Sequence, residues 1–186
     1  EKEEKKKDPG KMKQMGTGRS YTIKELASYS FLLEHFYIVD ETTSMTKQDL
    51  NGTKLVTMDL SAKLGKEEPL VLIYHTHGSE TYKKVNGKEG SVIEVGTALT
   101  KELENVYGIK TVHDKSVYDM VDGQLDRNAA YNFAGDSVEA ALRKNPSVKV
   151  VIDLHRDSVE NNIHLRTKIN GKSAAQIMFF NGVSRL

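Results

Sequence analysis

The sequence predicts an α/β fold, a mixed, mostly parallel sheet flanked by helices. Three observations carry that expectation. Val71-Leu72-Ile73-Tyr74 and Val148-Lys149-Val150-Val151-Ile152 are short runs rich in β-branched residues, as in parallel strands buried on both faces. Between them lie two long segments with apolar residues at helical spacing. After them Ile163, Leu165, Thr167 and Ile169 alternate and lead into Asn170-Gly171, a hairpin signal.

Residues 1–18 are charged, include Lys5-Lys6-Lys7 and offer almost nothing to bury, so a disordered linker is expected there. Ile23, Leu26, Ala27, Leu33 and Phe36 predict a helix over residues 24–37. Residues 40–64 carry turn signals, including Asn51-Gly52, with one short strand expected over 54–58. Glu67-Glu68-Pro69 breaks the chain before the first strand. Val92, Val95, Leu99, Leu103 and Val106 form the buried stripe of a helix that Gly108 ends in a left-handed cap. Residues 109–113 are a short strand, completing a right-handed strand–helix–strand crossover. Residues 114–126 form an acidic loop long enough to be a rim. Residues 127–144 are a second helix, with Ala130, Phe133, Val138, Ala141 and Leu142 toward the sheet and Asn145-Pro146 as its stop. Residues 175–180 are apolar on both faces and predict a central or helix-covered strand.

The chain has 186 residues, enough for one domain with a real core, over residues 19–186. Its net charge of +1 points to no polyelectrolyte partner, and no nucleic acid is expected. With no cysteine, disulfides, thiolate ligands and cysteine nucleophiles are excluded. No apolar run reaches the ~20 residues that cross a bilayer, and no signal peptide is visible. A start at Glu1 without Met fits an excised or processed segment, compatible with a membrane anchor upstream.

The chemistry lies where the strands end. Tyr74-His75-Thr76-His77-Gly78-Ser79-Glu80 follows one buried strand, and Asp153-Leu154-His155-Arg156-Asp157-Ser158 follows another. In open α/β sheets ligands bind at that edge. If the strands are parallel and close, His77, Glu80 and His155 converge. Two imidazoles and a carboxylate make a Zn²⁺ ligand set with a fourth position left for water. His75 stands two residues before His77. It either joins His77 as a ligand, leaving Glu80 as base, or orients a ligand or contacts substrate.

The two motifs, with Phe31-Leu32-Leu33-Glu34-His35-Phe36-Tyr37 and Ile169-Asn170-Gly171-Lys172-Ser173, resemble the stage II sporulation protein P family. The resemblance runs from Tyr21 to the last residue. It implies a zinc-dependent N-acetylmuramoyl-L-alanine amidase, also credited with cross-link endopeptidase activity, with a zinc amidase/carboxypeptidase-like fold. It implies action on peptidoglycan in septal wall removal and engulfment, beside a lytic transglycosylase. It places the protein on the extracytoplasmic face, held by a membrane anchor outside this chain.

Within that resemblance the carboxylate ligand has two candidates. Glu80 has the His-x-x-Glu spacing of zinc carboxypeptidases and is preferred. Glu94 opens a helix where related zinc amidases place theirs, or is an ordinary acid favoured at a helix N-terminus. Whichever is not a ligand is the available proton carrier, so Glu94 is the catalytic candidate. Arg156 suits a stem-peptide carboxylate, or pairs with Asp153 or Asp157. The family's own general base is expected on a later strand, so the domain is expected to be truncated at its C-terminal end and feebly active. Two other functions fit the residues, a zinc carboxypeptidase on ordinary peptides and a non-catalytic wall-binding scaffold.

Overall fold

The computed structural model describes residues 19–41, 43–62, 67–82, 89–156, 158, 163 and 165–180. The expected linker at 1–18, and Asp157, lie outside them. The described residues belong to two compact units, one over 62–158 and the other from the segments before and after it.

The first unit is built on a three-stranded sheet in the order β2-β1-β5, from β1 (Val71–Tyr74), β2 (Thr111–His113) and β5 (Val150–Asp153). Both pairings are parallel, with Ile73 opposite His113 and Tyr74 opposite Asp153. Central β1 buries Val71, Leu72 and Ile73 almost completely, as its apolar run requires. The antiparallel pairs stand outside this sheet as two separate ribbons.

Helix α4 (Val92–Tyr107) joins β1 to β2. Ser91 and Glu94 form a reciprocal capping box at its start, and Gly108 ends it at φ 68. Its buried face is Val92 and Gly96, whereas Val95, expected in the stripe, is exposed. Helix α5 (Arg127–Lys144) precedes β5. Asp126 caps it by accepting from the amides of Asn128 and Ala129, and Ala130 and Ala134 are its buried residues. Phe133, expected to face the sheet, is half exposed. The connection through α4 runs from β1 to β2 and the one through α5 runs back the other way, from β2 past β1 to β5, so right-handed crossovers set the two helices on opposite faces. The acidic loop holds a small antiparallel ribbon of β3 (Met120–Val121) and β4 (Gln124–Leu125), turned at Asp122-Gly123 with positive φ at both residues.

The second unit departs further from expectation. The single helix over 24–37 is two, α1 (Ile23–Leu26) and α2 (Tyr29–His35), because Ser28 takes an extended conformation and caps α2. The strand expected over 54–58 is helix α3 (Gly52–Thr57). Asn51, read as a turn residue, caps it through the Lys54 amide. A Cβ on Gly52 would lie 2.0 Å from the Leu26 carbonyl oxygen, so the α1 backbone can approach there only because the residue is glycine. The Asn170-Gly171 hairpin forms as expected between β6 (Arg166–Ile169) and β7 (Lys172–Ala175), with positive φ at both turn residues. The strand expected through residue 180 stops at Ala175. Ile177, Met178, Phe179 and Phe180 are exposed, so the burial that would have made them a central strand is absent among the described residues.

Candidate functional site

The order β2-β1-β5 makes the β1–β5 boundary a topological switch point, where connections diverge, and in open α/β sheets ligands bind outside the carboxyl ends of the strands at such a point. Both histidine motifs emerge there. The rings of His77 and His155 lie 5.1 Å apart at 76°, and that of Tyr131 on α5 meets His77 edge-on at 5.3 Å. Glu80 is almost fully buried. One carboxylate oxygen accepts from the Arg127 guanidinium at 3.4 Å and the other from the Arg156 amide at 3.0 Å.

Two carboxylates, half-buried Asp153 and buried Asp119, tie the His77 loop down. Asp153 accepts from the Thr76 amide at 3.0 Å, from the Thr76 hydroxyl at 2.6 Å and from His155 Nε2 at 2.8 Å. Asp119, fully buried, accepts from the Ser79 amide at 3.1 Å and the Ser79 hydroxyl at 2.5 Å. Gly78 lets the 114–119 loop close over this segment, since a Cβ there would stand 2.9 Å from the Ser116 carbonyl oxygen.

His75 lies beneath the site with no exposed surface. Its Nδ1 donates to the Leu154 carbonyl at 2.9 Å, so neutral Nε2 is an acceptor, and His113 Nε2 must donate to it across 2.9 Å. Burial lowers the pKa of His75, and burial followed by His75 itself lowers that of His113. His155 moves the other way: its hydrogen bond to Asp153 outweighs burial and raises it. Burial works to raise Asp153, but hydrogen bonds from His155 and Thr76 win and hold its carboxyl below the usual range. The Tyr74 phenol is pushed up to about 12, by burial first and Asp153 second.

Among the described residues, no three His, Asp or Glu side chains stand in an arrangement that holds a metal as it is. His155 Nε2 is turned onto Asp153, and Glu80 toward Arg127 and the Arg156 amide. The donor types nevertheless fit a divalent ion. His77 Nδ1 is buried with no hydrogen-bond partner, its nearest carboxylate oxygen on Asp119 being 4.0 Å away. A carboxylate also has lone pairs beyond the two that Glu80 uses. Glu94 lies apart in role: it is exposed, and one of its oxygens accepts from the Ser91 amide at 2.9 Å in the helix cap. Arg156 meets Glu80 through its backbone amide.

The sequence had pointed to His75, His77, Glu80 and His155, and these gather at one sheet edge. It had not singled out Asp119, Arg127, Tyr131 or His113. Asp119 binds a serine 40 positions earlier, and no local spacing signals that. Arg127 and Tyr131 follow from α5's register, one turn apart on the face toward His77 and Glu80.

Fold and site thus define a parallel α/β domain with an imidazole–carboxylate centre at its switch point. The chain belongs to the stage II sporulation protein P family, whose family model matches residues 1–185. It is similar to stage II sporulation protein P of Bacillus subtilis (strain 168), 28% identical over 127 residues, which cover 62% of this chain and 31% of that protein. The chain therefore spans about a third of the length of that curated relative. No solved structure matches it. Among the described residues no helix is long and apolar enough to cross a membrane.

Proposed function

We propose that this chain carries the hydrolytic centre of a zinc-dependent N-acetylmuramoyl-L-alanine amidase, with cross-link endopeptidase activity at the same site. The observation that supports it best is the meeting of His77, Glu80 and His155 at the switch point of a parallel sheet, with His77 Nδ1 buried and unpartnered. His77 and His155 would hold the ion by imidazole and Glu80 by carboxylate. Bound zinc supplies a Lewis acid for the scissile carbonyl and brings a water's pKa to about 7. The remaining work falls to the chain. Asp153 fixes His155, and Asp119 fixes the turn between His77 and Glu80 through Ser79. Arg127 offsets the buried charge of Glu80. Tyr131, largely exposed beside His77, offers a flat surface to substrate at the mouth. Glu94 is the candidate for passing a proton to the leaving amine, while one of its oxygens holds the Ser91 amide. Arg156 is the candidate partner for a stem-peptide carboxylate.

Family membership supports peptidoglycan as substrate and a role in engulfment during sporulation. Work beside a lytic transglycosylase and attachment on the extracytoplasmic face, through an anchor outside this chain, rest on it alone. The test is digestion of purified cell wall with zinc present. An amidase exposes new L-alanine amino groups on stem peptides. Release of carboxyl-terminal residues instead would mean a carboxypeptidase, and chelator-resistant pelleting with wall and no product would mean a scaffold.

A further inference from the structure

We propose that Asp153 is a positioning residue that fixes the tautomer of His155, so that its Nδ1, not its Nε2, is the nitrogen offered to the centre. This rests on the metal reading above for its purpose, but not for its geometry. Asp153 Oδ2 lies 2.8 Å from His155 Nε2. An ionised carboxylate can only accept, so Nε2 carries the proton and the neutral ring keeps its lone pair on Nδ1. The same carboxylate is fixed by two donors from Thr76, one residue before His77 on the neighbouring strand end. Tyr74 and Asp153 are direct partners across β1 and β5, so the sheet itself sets this register. One side chain thus ties the two histidine motifs together and orients one of the rings. Outer carboxylates that hold a ligating histidine in this way are worth about 10–100-fold in metal affinity.

The test begins with the native chain, metal-free and labelled with ¹⁵N-histidine, at a pH where His155 is neutral. Two-bond nitrogen–proton correlations should show the Nε2–H form alone for His155. Asp153→Asn removes the charge but keeps the shape. It should populate both tautomers and weaken zinc, measured by competition with a chelating dye, by about 10–100-fold while the amide spectrum stays folded. A native His155 protonated on Nδ1 overturns the proposal, as does a folded Asp153→Asn with native zinc affinity. If Asp153→Asn does not fold, the native tautomer alone decides. If the native chain takes up no zinc, the metal reading fails, while the tautomer still decides the role of Asp153.

Discussion

Replacing Gly96 by alanine should destabilise the chain, although glycine to alanine inside a helix usually does the reverse. Gly96 is buried in α4 against the paired imidazoles. A Cβ there would lie 2.6 Å from His113 Nε2 and 2.8 Å from both His75 Nε2 and Cε1. Ordinary carbon contacts lie at about 3.5–4.0 Å, so a ring must retreat by nearly an ångström. His75 has little room to do so, because its Nδ1 is anchored on the Leu154 carbonyl. Alanine gains about 1 kcal/mol of helix propensity. Overpacking costs about 1–3 kcal/mol, and parting the part-buried imidazole pair costs about 1–3 kcal/mol more for the polar atoms left unmatched. Mid-range values leave a net loss of about 3 kcal/mol. Gly135 in α5 is the control: it is exposed, a Cβ there meets nothing within 4 Å, and Gly135→Ala should gain about 0.5–1 kcal/mol. Urea unfolding of both variants at a pH where the imidazoles are neutral reads the two signs. A Gly96→Ala chain as stable as the native one would refute the close packing of α4 on His75 and His113.

Asp119→Ala strands the Ser79 amide and hydroxyl away from their buried acceptor and should cost about 1–3 kcal/mol for each donor left unmatched. A loss within about 0.5 kcal/mol, the range of an ordinary surface change, would contradict that role. Stability should also depend on pH with a defined sign. His75 and His113 are held below the usual imidazole value of about 6.5. Their contribution is therefore present above that value and is lost as pH falls toward their lowered folded values. His155, raised by Asp153, works oppositely: its contribution is present below the usual value and lost as pH climbs through the raised one. In His155→Gln, which lacks the opposing group, the urea midpoint should drop steadily from about pH 8 to about pH 5, and a flat profile would count against the buried neutral pair.

The parallel sheet and its two long helices were legible because their signals are local. Val71–Tyr74 is apolar throughout, Val92, Leu99, Leu103 and Val106 recur at helical spacing, and Gly108 marks the end of that helix. The second unit was less legible because tertiary contact overrides propensity there. Gly52 begins a helix pressed on the Leu26 carbonyl, where Asn51-Gly52 reads as a turn. Ile177 to Phe180 look like a core strand but lie exposed. At the site, His77, Glu80 and His155 stood out because they lie just past two runs of β-branched residues, although β5 leaves Val150 and Val151 exposed. Asp119 did not, because its partner is remote in sequence, and Asp153 read only as a local partner for Arg156 although it joins both motifs. His113 read only as the last residue of the short strand expected over 109–113. Its pairing with His75 depends on the register that sets Ile73 beside it.

The central claim, that His77, Glu80 and His155 form one zinc centre, is tested most directly by zinc content after equilibration and gel filtration. The native chain and the single variants His77→Ala and His155→Ala are compared, with circular dichroism as the check on folding. The account predicts one zinc per native chain and none in either folded variant. Stoichiometric zinc in a variant, or none in the native chain, would contradict it.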